Sequence, residues 1–213
     1  MFEKELEYIK NNNIPLITSK DTYIFKDEEY SFPEDERVIS TLNQDVVLNK
    51  LKTVFNSIEI DNQRAFKDFS LKSGEMFNLK ISAMNSYDNV SSGKGLFYYF
   101  TGKIYKGIFG IKREDCINWL LDNIDFNNES FDFYFLIVSK RNIKESYLTS
   151  FSKLKDIVPN TSNPPFQVKW GTNNVGKEKS RLNQILFLLR YYSKSLTGEG
   201  KAKIERFILN NEQ

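Results

Sequence analysis

Apolar residues recur at two spacings along the chain, and the change of spacing separates helices from strands. From Asp35 to Phe55 they repeat every three or four residues, which predicts a long helix. The same spacing predicts shorter helices over 2–9, 96–101, 116–124, 178–195 and 201–209. The period falls to two in 57–60, 66–71 and 76–83, so we expect strands there, the last two joined as a hairpin by a turn at Ser73-Gly74.

The other apolar segments complete an α/β pattern. Residues 131–139 are so continuously apolar that we expect a central strand buried on both faces. Further strands are expected at 147–151 and from 166 onward, and residues 23–25 and 30–32 predict a short hairpin. Because no repeat or low-complexity linker divides the sequence, we expect one domain over residues 1–213.

The composition excludes several kinds of chemistry. The 213 residues include no His and a single Cys, which excludes a Ser-His-Asp triad, a Cys-His pair and multi-cysteine metal sites. Carboxylates, Lys, Tyr or a hard, oxygen-bound metal ion remain available for catalysis. The net charge of +2 is too balanced to predict a nucleic-acid partner. No apolar run approaches the ~18 residues of a membrane span and no signal-peptide pattern is present, so we expect a cytoplasmic protein without membrane contact.

The predicted hairpin over 66–83 places three polar residues together. Asp68 lies in its first strand, while Asn78 and Lys80 lie two residues apart in the second and should face the same side. Metal-assisted phosphodiester hydrolysis uses these groups, because carboxylate and carbonyl oxygens bind Mg²⁺ and an ammonium stabilises developing charge or orients the nucleophile. The same spacing also occurs on solvated hairpin faces, so the residues alone leave both interpretations open.

The sequence around this hairpin resembles a known family. FKDFSL at 66–71 and FNLKIS at 77–82, preceded by DERVISTL at 35–42 and a polar loop at 61–64, resemble type II restriction endonucleases of the PD-(D/E)XK superfamily, in its EcoRV-like branch. GTNNVG at 171–176 stands where that family carries its major-groove recognition loop.

The resemblance implies an α/β fold with a restriction-endonuclease-like PD-(D/E)XK core, in which helices flank a mixed central sheet. It covers roughly 14–83, which would hold the catalytic elements, and 166–195, which would hold the DNA-recognition strand, loop and helix. In the first of these regions Asp68 would bind the metal ion and Lys80 would be the catalytic lysine. Asn78 would be a second ligand, and the main-chain carbonyl of Leu79 would complete the metal shell.

Two positions depart from the family pattern. Asn78 stands where the family has Asp or Glu, and the acid that faces the metal from the long helix falls at Gln44, with Asp45 beside it. An amide oxygen binds a hard cation without contributing charge, so we expect weaker binding of the cofactor Mg²⁺ and consider Asp45 or Glu75 as the missing carboxylate. The same departures leave open a relative that no longer cleaves.

Polar and basic residues predict where DNA would bind. The segment after 166 is rich in side chains whose donors and acceptors match base edges or phosphates, namely Lys169, Thr172, Asn173, Asn174, Lys177, Lys179 and Arg181. An ordinary solvated loop and helix N-terminus explains this cluster equally well. Gln63 and Arg64 would enter the minor groove if their loop wraps the duplex as the resemblance implies. Ser91, Ser92 and Lys94 are candidates for backbone phosphate contacts.

The function predicted from the residues and the resemblance is that of a type II restriction endonuclease, which cleaves both strands of duplex DNA at a short palindrome with Mg²⁺. Because a palindrome has a two-fold axis, a homodimer with one active site per subunit would cut both strands. The expected partners are double-stranded DNA, a second copy of the chain and a cognate methyltransferase that acts on the same site but need not bind the enzyme. A non-cleaving DNA-binding protein, a repair nuclease and a protein-interaction domain remain alternatives.

Overall fold

The computed structural model describes residues 2–12, 14–32, 34–61, 66–90, 93–106, 113–128, 132–162, 165–174, 176–177 and 179–212. The helices and strands follow in the order α1 (Glu3–Asn11), β1 (Thr22–Phe25), β2 (Glu28–Ser31), α2 (Glu36–Val54), β3 (Ile58–Ile60), β4 (Phe69–Leu71), β5 (Met76–Ser82), β6 (Tyr87–Asn89), α3 (Gly93–Thr101), α4 (Arg113–Asn123), β7 (Phe133–Ser139), β8 (Tyr147–Ser150), β9 (Ile157–Pro159), β10 (Phe166–Lys169), α5 (Trp170–Asn173), α6 (Arg181–Lys194) and α7 (Gly198–Asn211). Short 3₁₀ helices lie at Ile143–Glu145 and Phe151–Lys153.

The elements predicted from hydrophobic spacing are present, with shifted ends. The hairpin β1–β2 turns at Lys26 and Asp27, whose φ angles of 52° and 65° match the left-handed pair of a two-residue turn. The short strands β6 and β9 and the helical turn α5 were not predicted. Three residues such as Tyr87–Asn89 are too few to show a period of two.

A mixed five-stranded sheet with the order β3-β4-β5-β7-β8 forms the centre of the fold. Its strands pair antiparallel except for β5 and β7, which run parallel with Asn78 opposite Phe135 and Lys80 opposite Ile137. A parallel pair needs a long crossover, and here that connection carries β6, α3 and α4. The expectation of an α/β protein with helices flanking a mixed central sheet is therefore confirmed.

Alternation along β5 and β7 sends side chains into two separate hydrophobic cores. On one face, the apolar residues of β5 and every second residue of β7 pack against α1 and α2, in a cluster that includes Phe77, Leu79, Ile81, Leu136, Val138, Ile9, Val47 and Leu51. On the other face, Phe133, Phe135 and Ile137 pack with α3, α4, α6 and α7. β7 is consequently buried on both faces, as its continuous apolar sequence predicted.

A smaller antiparallel sheet, β6-β10-β9, lies beside the end of β5. The link between them is the N–H of Gly171, which donates to the carbonyl of Met84 at 2.8 Å. A Cβ at position 171 would lie 2.9 Å from that carbonyl oxygen, so the close approach requires glycine. The segment predicted to read DNA therefore lies next to the end of the candidate active-site strand.

Within the described ranges, no helix combines the length and the apolar character that crossing a bilayer requires.

Candidate active site

The candidate site lies where β4 leaves β5. The two strands pair only at Phe69–Phe77 and Ser70–Met76, and the last bond across them runs from the N–H of Asp68 to the carbonyl of Phe77 at 2.9 Å. Two residues further along β5, Leu79 turns its own N–H and C=O to the same edge. No strand of the described chain lies opposite Leu79 there, so these backbone groups need side-chain partners.

Two side chains fill this opening. Asp68 accepts the N–H of Leu79 on Oδ2 at 2.6 Å, and Gln44 reaches from α2 to donate its Nε2–H to the Leu79 carbonyl at 2.7 Å. The divergence of the strands thus fixes the carboxylate, and α2 contributes an amide to the same site. The Leu79 carbonyl, expected as a metal ligand, already spends one of its two lone pairs on Gln44. Asp45 is exposed on α2 next to Gln44.

Asn78 is the unusual residue of the site. It is 8% exposed, and among the residues that the structure describes none donates a hydrogen bond to its Oδ1. A buried acceptor left without a partner costs about 1–3 kcal/mol. Asn78 alternates with the apolar residues Phe77 and Leu79, so its side chain lies on the same face of the sheet as that of Lys80, as predicted. The oxygen is therefore left for a partner other than the described residues, at a position where the sequence predicted a metal ligand.

Burial dominates the electrostatics of Asp68. It raises the pKa of this carboxyl above its ordinary value, while the Leu79 N–H and the Lys80 ammonium act to lower it. Asp61 and Asp45 also raise the pKa of Asp68 by repulsion. A nearby cation would favour the charged carboxylate.

Lys80 shows the complementary situation. Burial lowers the pKa of its ammonium, and the negative charges of Asp68 and Asp88 oppose that shift. Lys80 is half-buried and makes no ion pair with any acid in the described part of the chain. An anionic group such as a phosphate would therefore find an ammonium that has no acidic partner among the described residues.

A cavity of about 810 Å³ opens beside Lys80. Its walls come from the N-terminal half of α2, the end of β5, β6 and the turn after β7, and they comprise Glu36, Ser40, Thr41, Gln44, Lys80, Ile81, Ala83, Ser86, Asp88, Asn89, Lys140 and Arg141. Lys140 is paired with Glu36 at 2.5 Å, whereas Arg141 is exposed and has no acidic partner among the described residues. The cavity thus combines the candidate lysine with a further cation that is available to an anion.

The donor set fits a single Mg²⁺ ion. No group of three or more His, Cys, Asp or Glu residues in the described ranges is placed to hold a metal. Mg²⁺ does not require such a group, because it is commonly bound by one or two protein oxygens together with waters and substrate phosphates. Asp68 and Asn78 each carry a hard oxygen on neighbouring strands of the hairpin, and Oδ1 of Asn78 accepts no hydrogen bond from the described residues, so both are chemically suited to such an ion.

Glu75 does not supply the missing carboxylate. It lies at the turn of the hairpin, where it accepts a hydrogen bond from the hydroxyl of Ser73. Asn78 lies three positions further along the chain, which corresponds to about 10 Å along a strand.

Two acids that the sequence did not predict lie near the site. Asp61 donates its N–H to the carbonyl of Asp68 at 3.1 Å, and its carboxylate pairs with Lys67 at 2.6 Å. Asp88 accepts the hydroxyl of Ser82 on Oδ2 at 2.7 Å. The register of β3 and β4 could have identified Asp61 as the neighbour of Asp68, but β6 has no spacing signal that points to Asp88.

Asn173 in the predicted recognition segment serves the fold. It is 1% exposed, its Oδ1 accepts the N–H groups of Lys155 and Asp156 at 2.9 and 3.2 Å, and its Nδ2 donates to the carbonyls of Asp156 and Lys169 at 2.9 and 2.8 Å. The expected loop is here the helical turn α5. Its Thr172 hydroxyl lies 2.5 Å from Oδ2 of Asp156. Asn173 is therefore left out of the proposed DNA contacts.

Arg181 is likewise structural. It is 6% exposed and donates to the carbonyls of Asp125, Tyr99 and Phe100 at 2.6, 2.7 and 3.2 Å. Lys179 lies over the ring of Phe187, with its ammonium 3.7 Å from the ring centre.

The remaining predicted DNA contacts divide into three groups. Asn174 and Lys177 are exposed, and Lys169 is half-buried at the end of β10. Lys94 is half-buried in the first turn of α3. Gln63, Arg64, Ser91 and Ser92 lie outside the described residues.

Comparison with known proteins identifies no relative: no family model matches the chain, and no curated protein or solved structure is significantly similar to it. The geometry of the site and the sequence resemblance are therefore what bears on the function of this chain.

Proposed function

We propose that this chain is a Mg²⁺-dependent type II restriction endonuclease, which hydrolyses phosphodiester bonds in both strands of duplex DNA. The observation that carries the proposal is Oδ1 of Asn78, which is buried two residues before Lys80, near where β4 leaves β5, and accepts no hydrogen bond from the described residues. Buried polar atoms in native proteins nearly always have partners, so an exception in a site of this composition indicates a ligand.

Each residue has a distinct task in this proposal. Asp68 and Asn78 would hold Mg²⁺, with the Leu79 N–H fixing the orientation of the Asp68 carboxylate. When bound, the ion would polarise the scissile phosphate and acidify a water molecule. Lys80 would donate a hydrogen bond to the phosphate oxygen on which negative charge develops. Water adds to phosphorus and the 3′ oxygen leaves with a proton, which gives the 5′-phosphate and 3′-hydroxyl ends that the resemblance implies.

Duplex DNA is proposed as the substrate for two reasons. Lys80, Lys140 and Arg141 on the cavity wall suit a polyanion. The resemblance supplies the rest of the proposal, namely a palindromic target, a homodimer with two such sites and a cognate methyltransferase as its companion enzyme.

A second candidate function is a DNA-binding protein that no longer cleaves. It is favoured by the amides of Asn78 and Gln44 at positions where the resembled family has acids.

The test is cleavage of phage DNA of known sequence with Mg²⁺, combined with binding measured in Ca²⁺. We expect discrete fragments from the wild type, and a loss of about 10²–10³ in cleavage rate for Lys80→Met with binding retained, because one charge-stabilising donor is removed. Asp68→Asn should also abolish cleavage. Lys72→Met is the matched control, since Lys72 is exposed at the turn of the same hairpin.

Each alternative gives a different result. Binding without cleavage in any divalent metal would favour the non-cleaving protein, and a smear in place of bands would favour a repair nuclease. Equal cleavage by Lys80→Met and Lys72→Met would show that this site does not perform the reaction.

A further inference from the structure

Asp88 is held at the candidate site by a chain of contacts. Its Oδ2 accepts the hydroxyl of Ser82 at 2.7 Å, and the Ser82 oxygen accepts the N–H of Met84 at 3.0 Å. Met84 has a φ of 72°, a left-handed conformation that costs a non-glycine residue roughly 1 kcal/mol or more. Pairing of β6 with β10, with Asp88 opposite Val168, fixes the strand that carries the acid. The turn from β5 to β6 therefore folds Asp88 back onto the end of β5.

This arrangement brackets Lys80 between two carboxylates along β5. Asp68 is bonded to Leu79, one residue before Lys80, and Asp88 is bonded to Ser82, two residues after it. Neither acid forms an ion pair with Lys80 in the described structure, and Asp88 and Lys80 line the same cavity. The ammonium is thus attracted from both ends of the site without being bound at either.

We propose that Asp88 is a positioning residue for Lys80, which keeps the ammonium on the cavity side and away from the carboxylate of Asp68. This inference rests on the proposed function, in which Asp68 and the buried, unsatisfied Asn78 oxygen hold Mg²⁺. A carboxylate on the wall of a cavity that receives DNA repels the phosphates, so its charge weakens DNA binding. Its contribution is therefore to the position of the Lys80 ammonium.

The consequence of removing Asp88 follows from the charges that remain. Without it, Asp68 is the one that remains of the two carboxylates bracketing Lys80 in the described structure. Lys80 would then move towards Asp68 and compete with the metal ion. The same substitution removes a negative charge from the cavity, so binding of DNA without metal should be unchanged or tighter.

The experiment compares Asp88→Asn with the wild type in two assays. Asparagine keeps an acceptor for the Ser82 hydroxyl and loses only the charge. We expect the Mg²⁺ concentration for half-maximal cleavage to rise three- to ten-fold, with the same shift in the Mg²⁺ dependence of thermal unfolding measured without DNA. Asp88→Glu should restore most of the wild-type metal response. Glu36→Gln is the matched control, because Glu36 lines the same cavity but is exposed and paired with Lys140.

The outcomes separate this inference from the function on which it rests. An Asp88→Asn metal response equal to that of Glu36→Gln, in a wild type that cleaves, would overturn the role of Asp88 alone. Parallel loss of stability and DNA binding in Asp88→Asn, with no rescue by Asp88→Glu, would also overturn it, because it would show a purely structural role. A wild type that neither cleaves nor responds to Mg²⁺ would overturn the proposed function and this inference together.

Discussion

Two polar regions of the molecule, predicted to be functional from the same kinds of residues, differ in where their hydrogen bonds go. In the segment 166–181, Asn173 and Arg181 direct their donors and acceptors to backbone groups of the protein itself. At the opening between β4 and β5, Oδ1 of Asn78 has no donor and Lys80 has no ion pair among the described residues. Asn173 and Arg181 thus use their hydrogen bonds within the fold, whereas Asn78 and Lys80 keep groups that no described residue pairs.

This difference shows that residue type does not distinguish a binding site from a structural contact. Asn, Arg and Lys have the same donors and acceptors in both settings. What distinguishes them is whether the fold satisfies each buried polar atom, since an unsatisfied one costs free energy that a ligand can recover. DNA binding by the satisfied residues, or full function of the unsatisfied ones without a ligand, would contradict this distinction.

Replacement of Arg181 gives the largest expected effect on stability. Arg181→Met removes the donors to three carbonyls and leaves those acceptors buried, so we expect the free energy of unfolding to fall by about 3 kcal/mol. Urea denaturation followed by tryptophan fluorescence measures this change. Arg206→Met, on an exposed position of α7, should change stability by less than about 0.5 kcal/mol. Equal stabilities of the two variants would mean that Arg181 is free for another role.

Asn173 should show the same behaviour to a smaller extent. Asn173→Ala removes a side chain with four hydrogen bonds to the backbone, and we expect a loss of about 2 kcal/mol. The neighbouring Asn174→Ala is the control, because Asn174 is exposed. A variant at 173 that keeps full stability but fails to bind DNA would contradict the structural role and reinstate the base-reading one.

The sequence predicts the parts of this comparison that depend on local periodicity. The period of two predicts that Asn78 and Lys80 lie on one face of β5, and the helical spacing predicts the helix α2 that carries Gln44. The opening itself could not be predicted, because it depends on β4 pairing with β5 at only two positions and on how α2 docks. The burial of Asn173 likewise depends on residues 155–156, which reach it only through the folding of β9 against β10.

Asn78→Asp tests whether a metal ion binds at the opening between β4 and β5. A second buried carboxylate beside Asp68 adds repulsion without metal and charge for the ion, so the variant should unfold at a lower temperature in EDTA. We expect its affinity for Mg²⁺ to rise about ten-fold, or roughly 1.4 kcal/mol, measured as the shift of the melting temperature over a Mg²⁺ titration. Asn49→Asp, which adds the same charge on the exposed surface of α2, should leave the metal dependence unchanged. An identical titration for both variants would place the ion elsewhere.

The smallest expected effect concerns Arg141, which lies on the cavity wall with Lys80 and, like it, has no acidic partner among the described residues. Arg141→Gln should weaken DNA binding in Ca²⁺ only a few-fold, but it should reduce the slope of log affinity against log salt by about 0.9, because one phosphate contact is lost. Lys144→Gln removes the same charge from the 3₁₀ helix that follows, at an exposed position that does not line the cavity. A slope lowered equally by both variants would show that only the general positive charge of this surface matters. A change confined to Arg141 would show that the unpaired groups continue from the candidate metal ligands to the path of the DNA backbone. The hydrogen-bonding and charged groups that the described residues leave unpaired would then mark the whole substrate site.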